Sequence, residues 1–221
     1  MAMPAVPYIS TTQNIYPDSD GRPMADNTLQ YQYIITIQVG LDALLPNDFV
    51  AGDLLWYPVQ GRPDISIAPD VLVALGRPKG YRGSYKQWEE GFIPPQVAFE
   101  ILSPSNTAKE MAGKRWFYEH YGVEEYCEYD PDRGKLQVWV RAGSELIKQH
   151  FDYEWRSPRL GITLQLERDG KLSVYGPNGQ RFERPIETVA RAVAAEARAA
   201  EAQARAERLA AKLRELGIEP E

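Results

Sequence analysis

The chain has 221 residues, of which 43% are hydrophobic, 11% aromatic and 25% charged, with a net charge of −6. That balance suits one ordinary soluble domain with a packed core plus an appendage, and no apolar run is long enough to span a membrane. A single cysteine (Cys127) excludes a disulfide framework and a cysteine-based zinc site, two histidines (His120, His150) leave little for histidine metal chemistry, and the acidic balance argues against a strong non-specific grip on nucleic acid.

Residues 1–22, rich in Pro, Ser, Thr and Tyr, read as an irregular arm. Their opening MAMPAVPYIS lacks the basic start and apolar block of a signal peptide, which predicts a cytoplasmic protein. Pro23-Met24-Ala25-Asp26 opens a helix whose apolar face is Leu29, Tyr33, Ile37, Leu41 and Leu44, and Pro46-Asn47 stops it. Residues 49–58 read as one strand. Residues 69–75 are apolar on both sides and predict a central strand covered on both faces. A Gly-rich loop then places Lys79, Arg82 and Lys86 among Tyr81, Tyr85 and Trp88, and residues 96–103 form the next buried strand.

Thr107-Ala108-Lys109-Glu110 is a capping box, and Gly122 ends the helix it starts. Residues 124–130 and 135–143 make a hairpin in which Asp130 helps form the turn, and shorter strand signals run through 160–182. From residue 185 the chain is almost all Ala, Glu, Arg and Leu, which are strong helix formers. Glu187–Arg191, Arg198–Glu201 and Glu201–Arg205 are spaced to support that helix. Ile186, Val189, Val193, Ala197, Ala200, Ala204, Leu209, Leu213 and Leu216 form a small-residue seam with two readings: a coiled-coil-like pairing with another copy of the chain, or a solvated helix. The expected organisation is an arm (1–22), one mixed α/β domain (23–184) and a helical tail (185–221).

Two predicted buried strands each carry a carboxylate, although an unpaired charge in an apolar layer costs several kcal/mol. By alternation Asp70 shares a face with Leu72 and Ala74, and Glu100 shares one with Ala98 and Leu102. If the strands are neighbours, the two acids converge and offer hard oxygen ligands to Mg²⁺ or Mn²⁺. Asp70 could instead bond backbone amides at a strand end, and Glu100 could sit in a structural salt bridge. On the following helix Lys114 falls inside the apolar arc of Met111, Phe117, Tyr118 and Tyr121, so it either meets an anion, Asp70 or Glu100, or snorkels to water. Lys109 points away. Two carboxylates on adjacent strands with a lysine beside them form a device for cutting phosphodiesters, the acids holding the metal and the lysine orienting water or offsetting developing charge.

PDVLV, then FEILSPSN about thirty residues on, then GKRWFYEHYGVEEY and YDPDRGKLQVWVR, together resemble the Uma-two family of endonucleases, within the PD-(D/E)XK restriction-endonuclease-like superfamily. The resemblance covers roughly residues 24–141, and the Ala/Glu/Arg tail is similar too. It implies a restriction-endonuclease-like core, a mixed central sheet flanked by helices. It sets Asp70 on the Asp of the PD element and Glu100 on the acid of (D/E)XK, and it adds the carbonyl of Ile101 as a metal ligand. Where the motif has its lysine this chain has Leu102, and Lys114 from the next helix is the implied substitute. The resemblance also implies a polar group from the first helix; Asp26 either fills that place or caps the helix.

Ser103 and Ser105 fall where they could bond a phosphate or simply serve helix entry. Tyr118 and Tyr121 are expected in the core, His120 in solvent, and Cys127 as a small buried hydrophobe. The expected activity is Mg²⁺- or Mn²⁺-dependent hydrolysis of DNA, with RNA as an alternative substrate, the 77–88 loop as a contact surface, and homo-oligomers formed through the tail. The alternative is a catalytically inactive nuclease fold that serves as a nucleic-acid-binding or assembly module.

Overall fold

A computed structural model describes residues 16–21 and 23–215, so most of the predicted arm and the end of the tail lie outside the described residues. The chain runs α1 (Thr28–Leu44), β1 (Phe49–Gly52), β2 (Trp56–Tyr57), β3 (Val71–Ala74), β4 (Tyr85–Lys86), β5 (Val97–Ile101), α2 (Ala108–Tyr121), β6 (Glu125–Asp130), β7 (Lys135–Ala142), β8 (Glu145–Lys148), β9 (Glu154–Arg156), β10 (Thr163–Leu166), β11 (Leu172–Tyr175) and α3 (Pro185–Glu215). A six-stranded mixed sheet in the order β1-β3-β5-β6-β7-β8 forms the centre. Its one parallel contact, β5 with β6, is bridged by α2, the connection that a parallel pair requires.

Alternation sorts the sheet's side chains to two cores. Val71, Val73, Val97, Phe99, Ile101, Cys127 and Val138 face α1 and the small sheet β11-β10-β9. Leu72, Ala98, Tyr126 and Trp139 face Tyr118 of α2, with Trp56 of β2 and Tyr85 of β4 in the same layer. The near-continuous apolar runs of β3 and β5 follow from this double cover, and both strands are buried throughout.

Several expectations change. Residues 49–58 form two strands in different sheets, because the backbone turns at Asp53 (φ 49°), whose N–H meets the carbonyls of Pro69 and Asp70. Trp56 and Tyr57 then pair with β4 in parallel. Helix α1 starts later than its Pro23-Met24 opening, with Asn27 as its N-cap, and it buries Gln30, Ile34, Ile37 and Leu41 while Leu29 stays 41% exposed. Leu29 lies one residue, about 100°, round the helix from Gln30.

Helix α2 has both halves of its predicted capping box and ends on left-handed Gly122. Arg141 of β7 anchors that end, its guanidinium donating to the carbonyls of Val123 (2.8 Å) and Glu119 (2.5 Å). In α3 the expected Glu187–Arg191 pair is replaced: Glu187 turns back to Arg184 and Arg191 to Glu183. Ile186, Val189 and Val193 are all more than half exposed. Leu209, also exposed, lies about 140° round the helix from Ile186, so it does not continue their seam. The side chain of Leu213, and Leu216, lie outside the described residues. Among the described residues no helix is long and apolar enough to cross a membrane.

Candidate active site

β3 and β5 are antiparallel neighbours, with Val71 opposite Phe99 and Leu72 opposite Ala98. Carried one residue further, that register sets Asp70 opposite Glu100 on the same face, where directly opposed Cβ atoms stand about 5 Å apart. Asp70 is buried, and its Oδ2 accepts the Ile101 N–H at 2.6 Å. No described residue hydrogen-bonds its Oδ1. Glu100 is 2% exposed. Lys114 donates to its Oε2 at 2.8 Å, and the Tyr118 hydroxyl donates to its Oε1. Lys114 and Tyr118 are four residues apart, one turn of α2, and therefore reach the same carboxylate.

Burial, then the charge of Glu100, pushes the Asp70 carboxyl well above the usual carboxylate range, against the pull of the Ile101 N–H and Lys114. Burial also raises Glu100, although Lys114 and Tyr118 favour its ionised form. For Lys114, burial disfavours the ammonium, but Glu100 and Asp70 outweigh it and hold the proton more tightly than usual. Burial and the neighbouring Glu100 keep Tyr118 a phenol, so it remains a donor. Among the described residues, two buried carboxyl groups thus face one lysine, Lys114.

Asp70, Glu100, Ile101 and Lys114 are thus brought together, and Lys114 meets an anion rather than snorkelling. The Ile101 carbonyl is already engaged by the side-chain amide of Gln30 at 2.7 Å. Asp26 does not cap α1. Asn27 caps α1, and the Asp26 carboxylate accepts hydrogen bonds from Ser103 (2.5 Å) and Ser105, which lower its pKa. Ser103 and Ser105 thus share one acid of the chain.

Four residues of this region escape sequence reasoning. Tyr118 is assigned to the core by its apolar arc, although its hydroxyl works on Glu100. Gln30 interrupts an apolar helix face, which was a usable signal. Glu128 lies beside Glu100 in the parallel ladder, where Tyr126 and Gln137 hydrogen-bond it. Asp53 is half-buried, its carboxyl raised by burial and then by Asp20, while Lys114 lowers it.

The 77–88 loop is held by internal contacts. Lys79 pairs with Asp42, Arg82 with Glu90 and Lys86 with Glu89, Tyr85 is buried, and Tyr81 alone of the named aromatics is largely exposed. Each of these three cations thus stands beside an acid of the chain itself. His120 is exposed and stacks on Trp116, and Cys127 is buried as expected. A cleft of about 780 Å³ lies elsewhere, between α1, β11 and the start of α3.

Among the described residues no group of three or more His, Cys, Asp or Glu side chains is arranged to hold a metal ion. The donors at hand are the Asp70 and Glu100 carboxylates and the Ile101 carbonyl. They are all hard oxygens, and Asp70 has an oxygen that no described residue hydrogen-bonds, so the set suits Mg²⁺ or Mn²⁺.

A family model, Uma2, described as "Putative restriction endonuclease", matches residues 32–175, which include Asp70, Glu100, Ile101 and Lys114. No curated protein matches the chain. A solved structure of a "putative nuclease" from Anabaena variabilis is similar at 17% identity and a TM-score of 0.45, the match covering 63% of this chain and 77% of that one.

Proposed function

The chain belongs to the Uma2 family, and from that premise we propose that it is a metal-dependent endonuclease hydrolysing DNA phosphodiester bonds. The carrying observation is the opposition of Asp70 and Glu100 on neighbouring buried strands, with Lys114 2.8 Å from Glu100. Asp70, Glu100 and the Ile101 carbonyl would hold Mg²⁺ or Mn²⁺. Such a cation supplies Lewis-acid polarisation of the phosphate and a more acidic water.

The chain's own groups do the rest. Tyr118 and Lys114 grip opposite oxygens of Glu100 and fix its rotamer. Lys114, standing where Leu102 leaves the usual motif without a cation, offsets negative charge developing on the phosphate. RNA offers the same phosphodiester and is the alternative substrate.

A second reading, an inactive nuclease fold acting as a nucleic-acid-binding or assembly module, is favoured by one observation: both Glu100 oxygens already have protein partners. We further propose that α3 joins copies of the chain into a homo-oligomer through its exposed Ile186, Val189 and Val193.

Purified protein incubated with plasmid DNA and Mn²⁺ or Mg²⁺ separates these readings. The nuclease reading expects nicking or linearisation that a chelator stops and that Asp70→Ala and Glu100→Ala each reduce by more than about a hundredfold. Cutting that persists in both variants removes the assigned site. Retained DNA binding without cutting under either metal selects the module.

A further inference from the structure

Helix α1 buries Gln30 on the same face as Ile34, Ile37 and Leu41. At 6% exposure an amide there destabilises the fold unless its polar ends are bonded. Both are: Oε1 accepts the Asp26 N–H at 2.8 Å, and Nε2 donates to the Ile101 carbonyl at 2.7 Å.

The need for that second bond lies in the strand. Leu102 gives its N–H to Tyr129 of β6, so the N–H and carbonyl of Ile101 point the other way, towards β3. Two residues beyond the Val71–Phe99 pair, the register brings Pro69 opposite Ile101, and proline has no N–H to donate. The Pro69 carbonyl is itself taken by the Asp53 N–H at 3.2 Å. Ile101 is left with both main-chain groups unpaired on that edge. Asp70 takes the N–H, and Gln30 supplies the missing donor to the carbonyl.

We infer that Gln30 is a positioning residue of the carboxylate site: it clamps Ile101, whose N–H orients Asp70, and it leaves one lone pair of the Ile101 carbonyl for a cation. Its consequence for metal affinity rests on the nuclease reading; its hold on Ile101 does not. Helix α1 thus reaches the site through an amide in its first turn.

The test compares full-length, ¹⁵N-labelled wild type with Gln30→Met, which keeps the length of the side chain but cannot donate, and with Gln30→Glu, which keeps the shape and the acceptor. Amide hydrogen exchange is read at Ile101, at Ala98 and Phe99 in the same strand, and at Ile34 in α1; Mn²⁺ affinity is read by calorimetry. Exchange at Ile101 should quicken about tenfold in whichever variant folds, with the other three amides unchanged. Mn²⁺ should bind about tenfold more weakly. Unchanged exchange at Ile101 overturns the inference, and so does acceleration shared equally with Ile34, since that reports loosened helix docking. A wild type that binds no Mn²⁺ sinks the nuclease reading alone, and the exchange at Ile101 then still decides the role of Gln30.

Discussion

Asp70 pays for its position in stability. The folded chain holds its carboxyl proton well above the usual carboxylate range because the group is buried and faces Glu100. The unfolded chain releases that proton near pH 4. Between those two points the folded state binds more protons than the unfolded one, so this residue's contribution falls as pH rises. Asp70→Asn keeps an oxygen for the Ile101 N–H and removes the ionisation. Its unfolding free energy should exceed the wild type's at pH 7 by on the order of 1 kcal/mol, seen as a higher melting temperature, with the gain shrinking towards pH 4. A variant that melts lower than wild type at pH 7 would show that the carboxylate stabilises the fold instead.

At the scale of elements, the site is a meeting of one helix with two strands. Lys114 and Tyr118 reach Glu100 from a helix, α2, that is held at both ends, by its capping box at Thr107 and by Gly122 with Arg141 at the other terminus. Thr107→Ala removes the side-chain acceptor of the Glu110 N–H and should cost about 1 kcal/mol in denaturant unfolding. The same substitution should leave exchange at the amides of β6 and β7 unaffected at low denaturant, since those strands form the largest ladder of the sheet. A loss below about 0.3 kcal/mol would mean that the cap is redundant with the Arg141 anchor.

At the scale of the molecule, the central sheet is closed on both faces, whereas α3 leaves the domain with most of its surface in solvent. A helix of 31 residues with so little tertiary contact draws on propensity and on any partner it finds. Truncation after Pro185 removes Ile186, Val189 and Val193 together with the rest of the helix. If α3 pairs copies of the chain, light scattering should report fewer copies per particle for the truncated protein; an equal number of copies for both would assign association, or its absence, to another surface.

The local rules of the chain were legible residue by residue. The capping box at Thr107, the left-handed Gly122, the Asx turn at Asp130 and the doubly apolar runs of β3 and β5 depend on neighbours within a few positions. The placing of Lys114 inside an apolar arc, and of Asp70 and Glu100 in buried strands, followed from periodicity alone. Contacts across tens of residues were decided elsewhere. That Gln30 and not Asp26 reaches Ile101, that Tyr118 turns its hydroxyl to Glu100, that Asp53 breaks a strand, and that Lys79, Arg82 and Lys86 meet Asp42, Glu90 and Glu89 all depend on how finished elements lie against one another. Sequence spacing fixes which side of an element a residue occupies; only packing fixes what stands opposite it, because a hydrogen bond is set by tenths of an ångström that periodicity does not encode.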